Sequence, residues 1–348
     1  MKIISRIAQQ PIFSTSLSLS QIMLYSAESI PLLLARRAMG VIRKPDPGPP
    51  ENHRQILRAE IFNMLKEDFK NINGGLYTID FFSSISPLSH FKRYLRLMQD
   101  SINSAKRAKK KQYKHFSAQA KEHGMGLPDY YLRNFHYQTD GYLSEGSADL
   151  YEHQTEILFM GTLNLMRRLL LVDLIAIGKK KSGDFRVLEI GAGTGVTTEV
   201  LLRSWPHAII EAIDLSEPYL AKARQNLNEF SNVQFIQADG VDYRSLGQFD
   251  AVVSTYCLHE VPLNIRKQIV KNAAANLKKG GHLLLIDSLQ LGDRQEFDWA
   301  LKQFPKDFHE PFFTSYVRTP LNTLLSDDLE LVDEKSWFLS KAVLARKL

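Results

Sequence analysis

Cysteine is nearly missing: Cys257 is the only one among 348 residues. No internal disulfide can form, and a C-x-x-C metal clip is impossible. Such usage fits a reducing compartment, so a cytoplasmic protein is expected. Long hydrophobic runs are missing too. No stretch reaches the roughly 18 consecutive apolar residues of a membrane span, and no transmembrane segment is expected. Acidic residues are scarce in one part only. The first 150 residues hold 21 Lys/Arg against 13 Asp/Glu, whereas the rest hold 23 against 25. The front of the chain suits an anionic partner, and the remainder suits a near-neutral enzyme domain. Hydrophobic residues are plentiful at 44%, enough over this length for a large core and two domains.

Residues 1–44 are apolar, Ser-rich and poor in acids, with Pro11 and Pro31 interrupting them. A folded or interface-docked segment is expected, with peripheral membrane contact left open. "KPDPGPP" (44–50) is a stiff connector. Apolar residues at Ile56, Leu57, Ile61, Leu65 and Phe69 fall near helical spacing. Residues 90–116 read as a very basic helix. Residues 147–177 read as one long helix, or two joined near Gly161, with Ser147 as N-cap. These signals divide the chain into an N-terminal segment (1–50), a helical cap (51–180) and a third region (181–348) with an insertion at about 288–325.

From residue 184 the pattern changes. "FRVLEI", "AIIEAIDL", "VQFIQAD", "FDAVVS" and "HLLLID" alternate with helical stretches. Strands apolar on both faces and separated by helices predict a parallel α/β sheet covered on both sides, with ligands past the strand C-termini. "VLEIGAGTGVTT" (187–198) follows the first strand. Its glycines, Gly191, Gly193 and Gly195, read G-x-G-x-G, and Val196 stands where a dinucleotide fingerprint needs its third glycine. No Gly-Lys-Ser/Thr follows, which excludes a P-loop. The turn still offers free N–H groups at a helix start, suited to one carboxylate. Glu189 beside it repels a pyrophosphate and welcomes an ammonium. A carboxylate and an ammonium together describe an amino-acid moiety.

The stretch resembles motif I of class I S-adenosylmethionine (SAM)-dependent methyltransferases. The resemblance continues in order along residues 183–290: Asp214 in "AIDLS", Asp239–Gly240 in "QADG", "FDAVVSTYCLHEVP" as motif IV, and "LKKGGHLLLID" as the fifth strand. More loosely, the final "LELVDEKSWFLSKAVLARKL" resembles the family's closing hairpin. It implies a Rossmann-like sheet, mostly parallel with an antiparallel last strand, and SAM as cofactor with S-adenosylhomocysteine as product. By this resemblance Glu189, Gly191, Ala192, Gly193, Thr194 and Gly195 hold the amino-acid tail. Asp214 and Leu215 hold the ribose, and Asp239 and Gly240 the adenine edge. Ser254 and Thr255 are further cofactor-binding residues. An acid suits a diol because it accepts two hydrogen bonds.

Methyl transfer needs an aligned nucleophile and, for most oxygen and nitrogen acceptors, a base. His259 in "TYCLHEV" is the base candidate. Plant small-molecule O-methyltransferases carry a similar "LHDW" whose histidine is the general base; "LHEV" keeps the histidine and lacks the Trp. Tyr256 lies beside it. The aromatic segment 128–154 suggests a lid with Tyr137 and Tyr142 against the acceptor, and the insertion offers His309 and Phe313. The spacings of His259, Glu260, Asp287, His309 and Glu310 match no metal template, so no metal is expected. A small, partly apolar or aromatic acceptor follows. Two alternatives remain open: an RNA methyltransferase gripping phosphates with Lys106, Arg107, Lys109, Lys110, Lys111 and Lys114, and a SAM-binding protein without turnover.

Overall fold

The structure, a computed structural model, describes residues 11–42, 44–78 and 87–348; the first ten residues of the N-terminal segment lie outside them. Six helices come first: α1 (Pro11–Ala38), α2 (His53–Asn73), α3 (Pro87–Lys110), α4 (Ala118–His123), α5 (Glu145–Leu158) and α6 (Leu163–Lys179). The stretch at 147–177 is two helices parted at Gly161, as one of the sequence readings had it. Gly161 takes φ +77°, and an added Cβ there would sit 2.7 Å from the Gln21 carbonyl of α1. The N-cap of α5 is Ser144 rather than Ser147. Ser144 Oγ accepts the Ser147 N–H at 3.2 Å, so Ser147 lies in the first turn.

Helix α1 packs on α2, α3 and α5. Two buried clusters bind it there. Glu28 accepts one hydrogen bond from His90 and one from His153, each at 2.8 Å. Asp68 of α2 pairs with Arg168 of α6 through two bonds of 2.6 and 2.7 Å, and Arg168 reaches Ser18 of α1 at 2.9 Å. One correction concerns hydropathy. Averaged over a window rather than read run by run, Ser14–Ala38 is long and apolar enough to cross a bilayer. Leu19, Met23, Leu24, Ile30, Leu33 and Leu34 are exposed on it. The basic helix is shorter than expected and ends at Lys110. Arg107 is turned inward onto the Tyr137 carbonyl and Thr139, and Lys114 pairs with Asp129 at 2.5 Å.

The expected strands form one sheet: β1 (Phe185–Ile190), β2 (Ala208–Asp214), β3 (Val233–Gln237), β4 (Phe249–Thr255), β5 (Leu277–Ser288), β6 (Leu329–Trp337) and β7 (Ser340–Lys347), in the order β3-β2-β1-β4-β5-β7-β6. The first five run parallel to one another, and β7 runs antiparallel to both β5 and β6. Helices α7 (Val196–Ser204), α8 (Glu217–Asn226) and α9 (Leu263–Asn276) connect the parallel strands. Helix α9 ends at Asn276, directly before Leu277 and the "KKGG" that follows it. The chain is already extended at Leu277, and the four residues are taken up as an irregularity between Phe249↔Leu277 and Ala251↔His282.

Alternate residues of β1 serve the two faces. Leu188 and Ile190 join a core with Ile269, Val270 and Ala273 of α9, while Phe185 and Val187 join one with Leu170, Leu171 and Leu174 of α6. The insertion between β5 and β6 carries α10 (Asp298–Asp307) and α11 (Phe313–Tyr316). Its Phe297, Leu301 and Phe313 share the first core with Leu163 and Leu169 of α6. Cap and insertion thus meet above the C-terminal end of the sheet. The strand order reverses between β1 and β4, which is where such sheets open a crevice.

Candidate active site

The glycine turn follows directly from β1. Gly191 and Ala192 both donate to the Ile213 carbonyl, at 2.9 and 3.0 Å. This binds the turn to the end of β2. Gly191 has φ +77°, and an added Cβ would lie 2.9 Å from Cys257 Cβ. Gly193, at φ +54°, has nothing within 4 Å of that position and opens on a cavity. Its N–H donates to Asp214 Oδ2 at 2.9 Å.

That cavity is lined by Glu189, Gly191, Ala192, Gly193, Thr194, Asp214, Leu215, Asp239, Gly240 and Thr255 among others. The fold therefore brings ten of the twelve expected cofactor residues to one wall. Gly195 and Ser254 are not on the lining. Gly195 caps α7 from a left-handed conformation, and Ser254 is buried inside β4. Burial pushes the Glu189 carboxyl up to about 7, against the hydrogen bond it accepts from Thr198 at 2.5 Å. Burial likewise raises Asp214, opposed by the N–H groups of Ser216 and Gly193.

The lid contributes more than sequence reasoning assigned it. Tyr131 donates to Asp214 at 3.4 Å, and Tyr130 donates to Asp239 at 3.3 Å. Glu152 accepts from Thr194, and Tyr151 and Arg167 complete the wall. The dense aromatics of 128–154 were the available signal for Tyr130 and Tyr131. Nothing in a helical pattern singles out Tyr151 or Arg167, because only the packing of α5 and α6 against the sheet turns them inward.

A second cavity, of about 150 Å³, adjoins the first. Its walls are Leu158, Phe159, Leu163, Leu301, Phe304 and Phe313, and its polar floor is His136, His259 and Glu260. Tyr151, Arg167, Tyr256 and Glu260 line both cavities. Tyr256 holds its place with φ +53°, a strained conformation for a bulky residue. Tyr142 lines the first cavity and donates to Glu260. Two expected acceptor residues lie outside both cavities. Tyr137 and His309 pack on each other with ring centres 5.5 Å apart, and His309 stacks on Tyr113. The turn at 135–137 swings His136 inward, with φ +53°, and leaves its neighbour Tyr137 behind it.

His259 sits in a short 3-10 turn after β4. Its Nδ1 lies 2.6 Å from Asp287 Oδ1, and its backbone N–H donates to Oδ2 at 3.1 Å. Burial lowers its basicity, but the Asp287 charge and hydrogen bond outweigh this and push it up to about 9. Its Nε2 stands 3.9 Å from Glu260. Asp287, at the end of β5, thus fixes the ring and leaves Nε2 free.

The mostly parallel sheet, the glycine turn and the row of acids at the strand ends are the arrangement that the resemblance to class I SAM-dependent methyltransferases implies. Comparison with known proteins agrees: residues 187–281 match the family described as a methyltransferase domain. A malonyl-[acyl-carrier protein] O-methyltransferase of Paenibacillus sp. (strain JDR-2) is 36% identical over 110 residues, covering 30% of this chain and 39% of the relative. A carboxy-S-adenosyl-L-methionine synthase of Chromohalobacter salexigens is 30% identical over 162 residues, covering 43% and 58%. Among solved structures, the N-methyltransferase NodS of Bradyrhizobium japonicum WM9 with S-adenosylhomocysteine is similar at 20% identity and TM-score 0.40, covering 52% of this chain and 85% of that one. The chain spans well under two thirds of the length of these curated relatives.

Proposed function

We propose that this protein methylates a small, largely apolar acceptor held in the second cavity, with His259 accepting the acceptor's proton. The observation that carries this reading is the shared wall: the cavity with the expected SAM residues and the second cavity are both lined by Tyr151, Arg167, Tyr256 and Glu260. A volume of about 150 Å³ matches apolar protein sites that take a benzene ring. The reacting part of the acceptor is therefore about one ring in size.

The residues of the first cavity suit SAM. Glu189 meets an ammonium, the N–H groups of the glycine turn meet a carboxylate, and Asp214 and Asp239 accept from ribose and adenine. Bound SAM supplies a methyl group on a sulfonium whose departure needs no acid. The chain has three further tasks: to hold the acceptor in line, to keep water out, and to remove a proton. Phe304, Phe313 and Leu301 serve the first two. His259 serves the third in its neutral form; because Asp287 and Glu260 hold the ring as imidazolium up to about pH 9, turnover is expected to rise with pH toward that value. The name of the Paenibacillus relative, an O-methyltransferase, supports an oxygen acceptor. The inward turn of Arg107 and the Lys114–Asp129 pair leave fewer basic groups for RNA. We also propose a cytoplasmic location, which the single cysteine supports.

Incubation with methyl-labelled SAM and a metabolite extract tests the reading. Label is expected in a low-mass product. His259→Ala is expected to lower turnover by roughly 10²–10⁴-fold while S-adenosylhomocysteine binding stays intact. Label in RNA, or cofactor binding with no transfer to any fraction, would overturn it in favour of one of the alternatives.

A further inference from the structure

The floor of the second cavity holds more acid than a proton-transfer site needs. Two buried carboxylates, Asp287 and Glu310, and a partly exposed one, Glu260, meet a buried imidazole, His136, and a nearly buried one, His259. Asp287 is fully used, accepting from the His259 ring, the His259 N–H and the Ser288 N–H. Glu260 accepts from Tyr142. Glu310 is different. Its side chain is wholly buried, its Oε1 accepts only the His136 backbone N–H at 3.3 Å, and its Oε2 has no hydrogen-bond partner. His136 Nδ1 lies 3.2 Å from Glu310 Oε1, yet it is off the hydrogen-bond axis and is unpartnered too. Buried polar atoms in native proteins rarely stay unpaired, and an unpaired buried carboxylate is the costliest kind.

One nitrogen of His136 and one oxygen each of Glu260 and Glu310 lie within 4.8 Å of one another. We propose that these three side chains bind a divalent first-row transition-metal ion at the floor of the acceptor cavity. An ion of charge +2 offsets the two carboxylates and gives the orphaned atoms a partner. The mixed nitrogen and oxygen donors suit Mn²⁺, Fe²⁺ or Zn²⁺ rather than a soft ion. Metal–ligand bonds of about 2.0–2.2 Å place neighbouring donors roughly 3 Å apart, so the three side chains close in by about an ångström on binding. His136 and Glu260 face the cavity, which gives the ion a route in and puts it beside the acceptor.

The sequence expectation of no metal rested on spacings among His259, Glu260, Asp287, His309 and Glu310. The fold leaves His309 outside and supplies His136 from the lid, more than a hundred residues earlier in the chain. The role beside the acceptor rests on the function proposed above; ion binding itself does not.

The test uses the full chain, stripped with a chelator and titrated separately with Zn²⁺ and Mn²⁺ in a calorimeter, without SAM or acceptor. Co²⁺ serves as an optical probe of the ligand set. One ion per chain is expected, and Glu310→Gln and His136→Gln are each expected to weaken binding at least tenfold and change the Co²⁺ spectrum. Both residues lie outside the cofactor cavity, so S-adenosylhomocysteine binding reports whether each variant is folded. Absence of wild-type binding at millimolar ion overturns the proposal. So does unchanged affinity in whichever variant still binds S-adenosylhomocysteine, whatever becomes of methyl transfer.

Discussion

Glu189 allows a prediction that needs no acceptor. Its carboxyl is buried and titrates at about 7 rather than at 4.5. The folded chain therefore holds this proton more tightly than the unfolded chain does. Between pH 4.5 and 7 the contribution of Glu189 to the stability of the unliganded fold is lost as pH rises, by roughly 3 kcal/mol in all. Cofactor binding runs the other way. Only the ionised carboxylate attracts an ammonium, and it is about half ionised at pH 7 and about 1% ionised at pH 5. Affinity for S-adenosylhomocysteine is thus expected to fall roughly 50-fold from pH 7 to pH 5, or about 2 kcal/mol. Thr198, Arg167 and Asp214 face the same group, so the comparison with Glu189→Gln isolates it. Calorimetric titrations across that range should give a steep wild-type curve and a flat, weaker one for the variant. Parallel curves, or a Glu189→Gln protein that binds as tightly as wild type at pH 7.5, would refute the reasoning.

Two other perturbations separate fold from site. Gly193→Val puts a branched side chain into the cofactor cavity at a left-handed backbone position, with strain of about 1–2 kcal/mol. Cofactor affinity should drop at least 100-fold while the protein still unfolds cooperatively, and retained affinity would show that the turn does not touch the ligand. Asp68→Ala leaves the Arg168 guanidinium buried and unpaired, which costs about 3–5 kcal/mol in comparable sites. Urea denaturation should show that loss. A change under about 1 kcal/mol would mean that water reaches Arg168 and that α1, α2 and α6 are joined more loosely than their geometry indicates.

The sheet and its cofactor wall were legible because their signals are local. A strand apolar on both faces, a glycine that needs positive φ, and an acid at a strand end each occupy a few consecutive residues. Gly191, Asp214 and Asp239 therefore fell where the motifs put them. Gly195 shows the limit of such reasoning: it belongs to the motif but serves the start of α7 instead of the cavity. The acceptor side was far less legible. His136 and Tyr137 are adjacent and equally plausible from sequence, yet two successive left-handed residues turn one inward and the other away. His309 and Phe313 come from the same insertion, but only Phe313 reaches the cavity, because the one-turn helix α11 carries it onto the core. Tertiary packing makes these choices, and no periodicity encodes them.

The lid hydroxyls add a last step. Tyr131 and Tyr130 donate to Asp214 and Asp239, the two acids proposed above to accept from ribose and adenine. Each acid also accepts a backbone N–H from its own loop, so its carboxylate has a fixed direction before any ligand arrives. The tyrosine bonds, at 3.3 and 3.4 Å, are longer than the usual O–H···O⁻ distance of about 2.5–2.7 Å. They are weak enough to exchange for the hydroxyls and amine of a nucleoside, yet they leave neither acid bare in a buried site. The same segment then carries His136 into the second cavity, within 3.9 Å of Glu260. Residues 128–142 thus reach Asp239, Asp214 and Glu260 from a single segment.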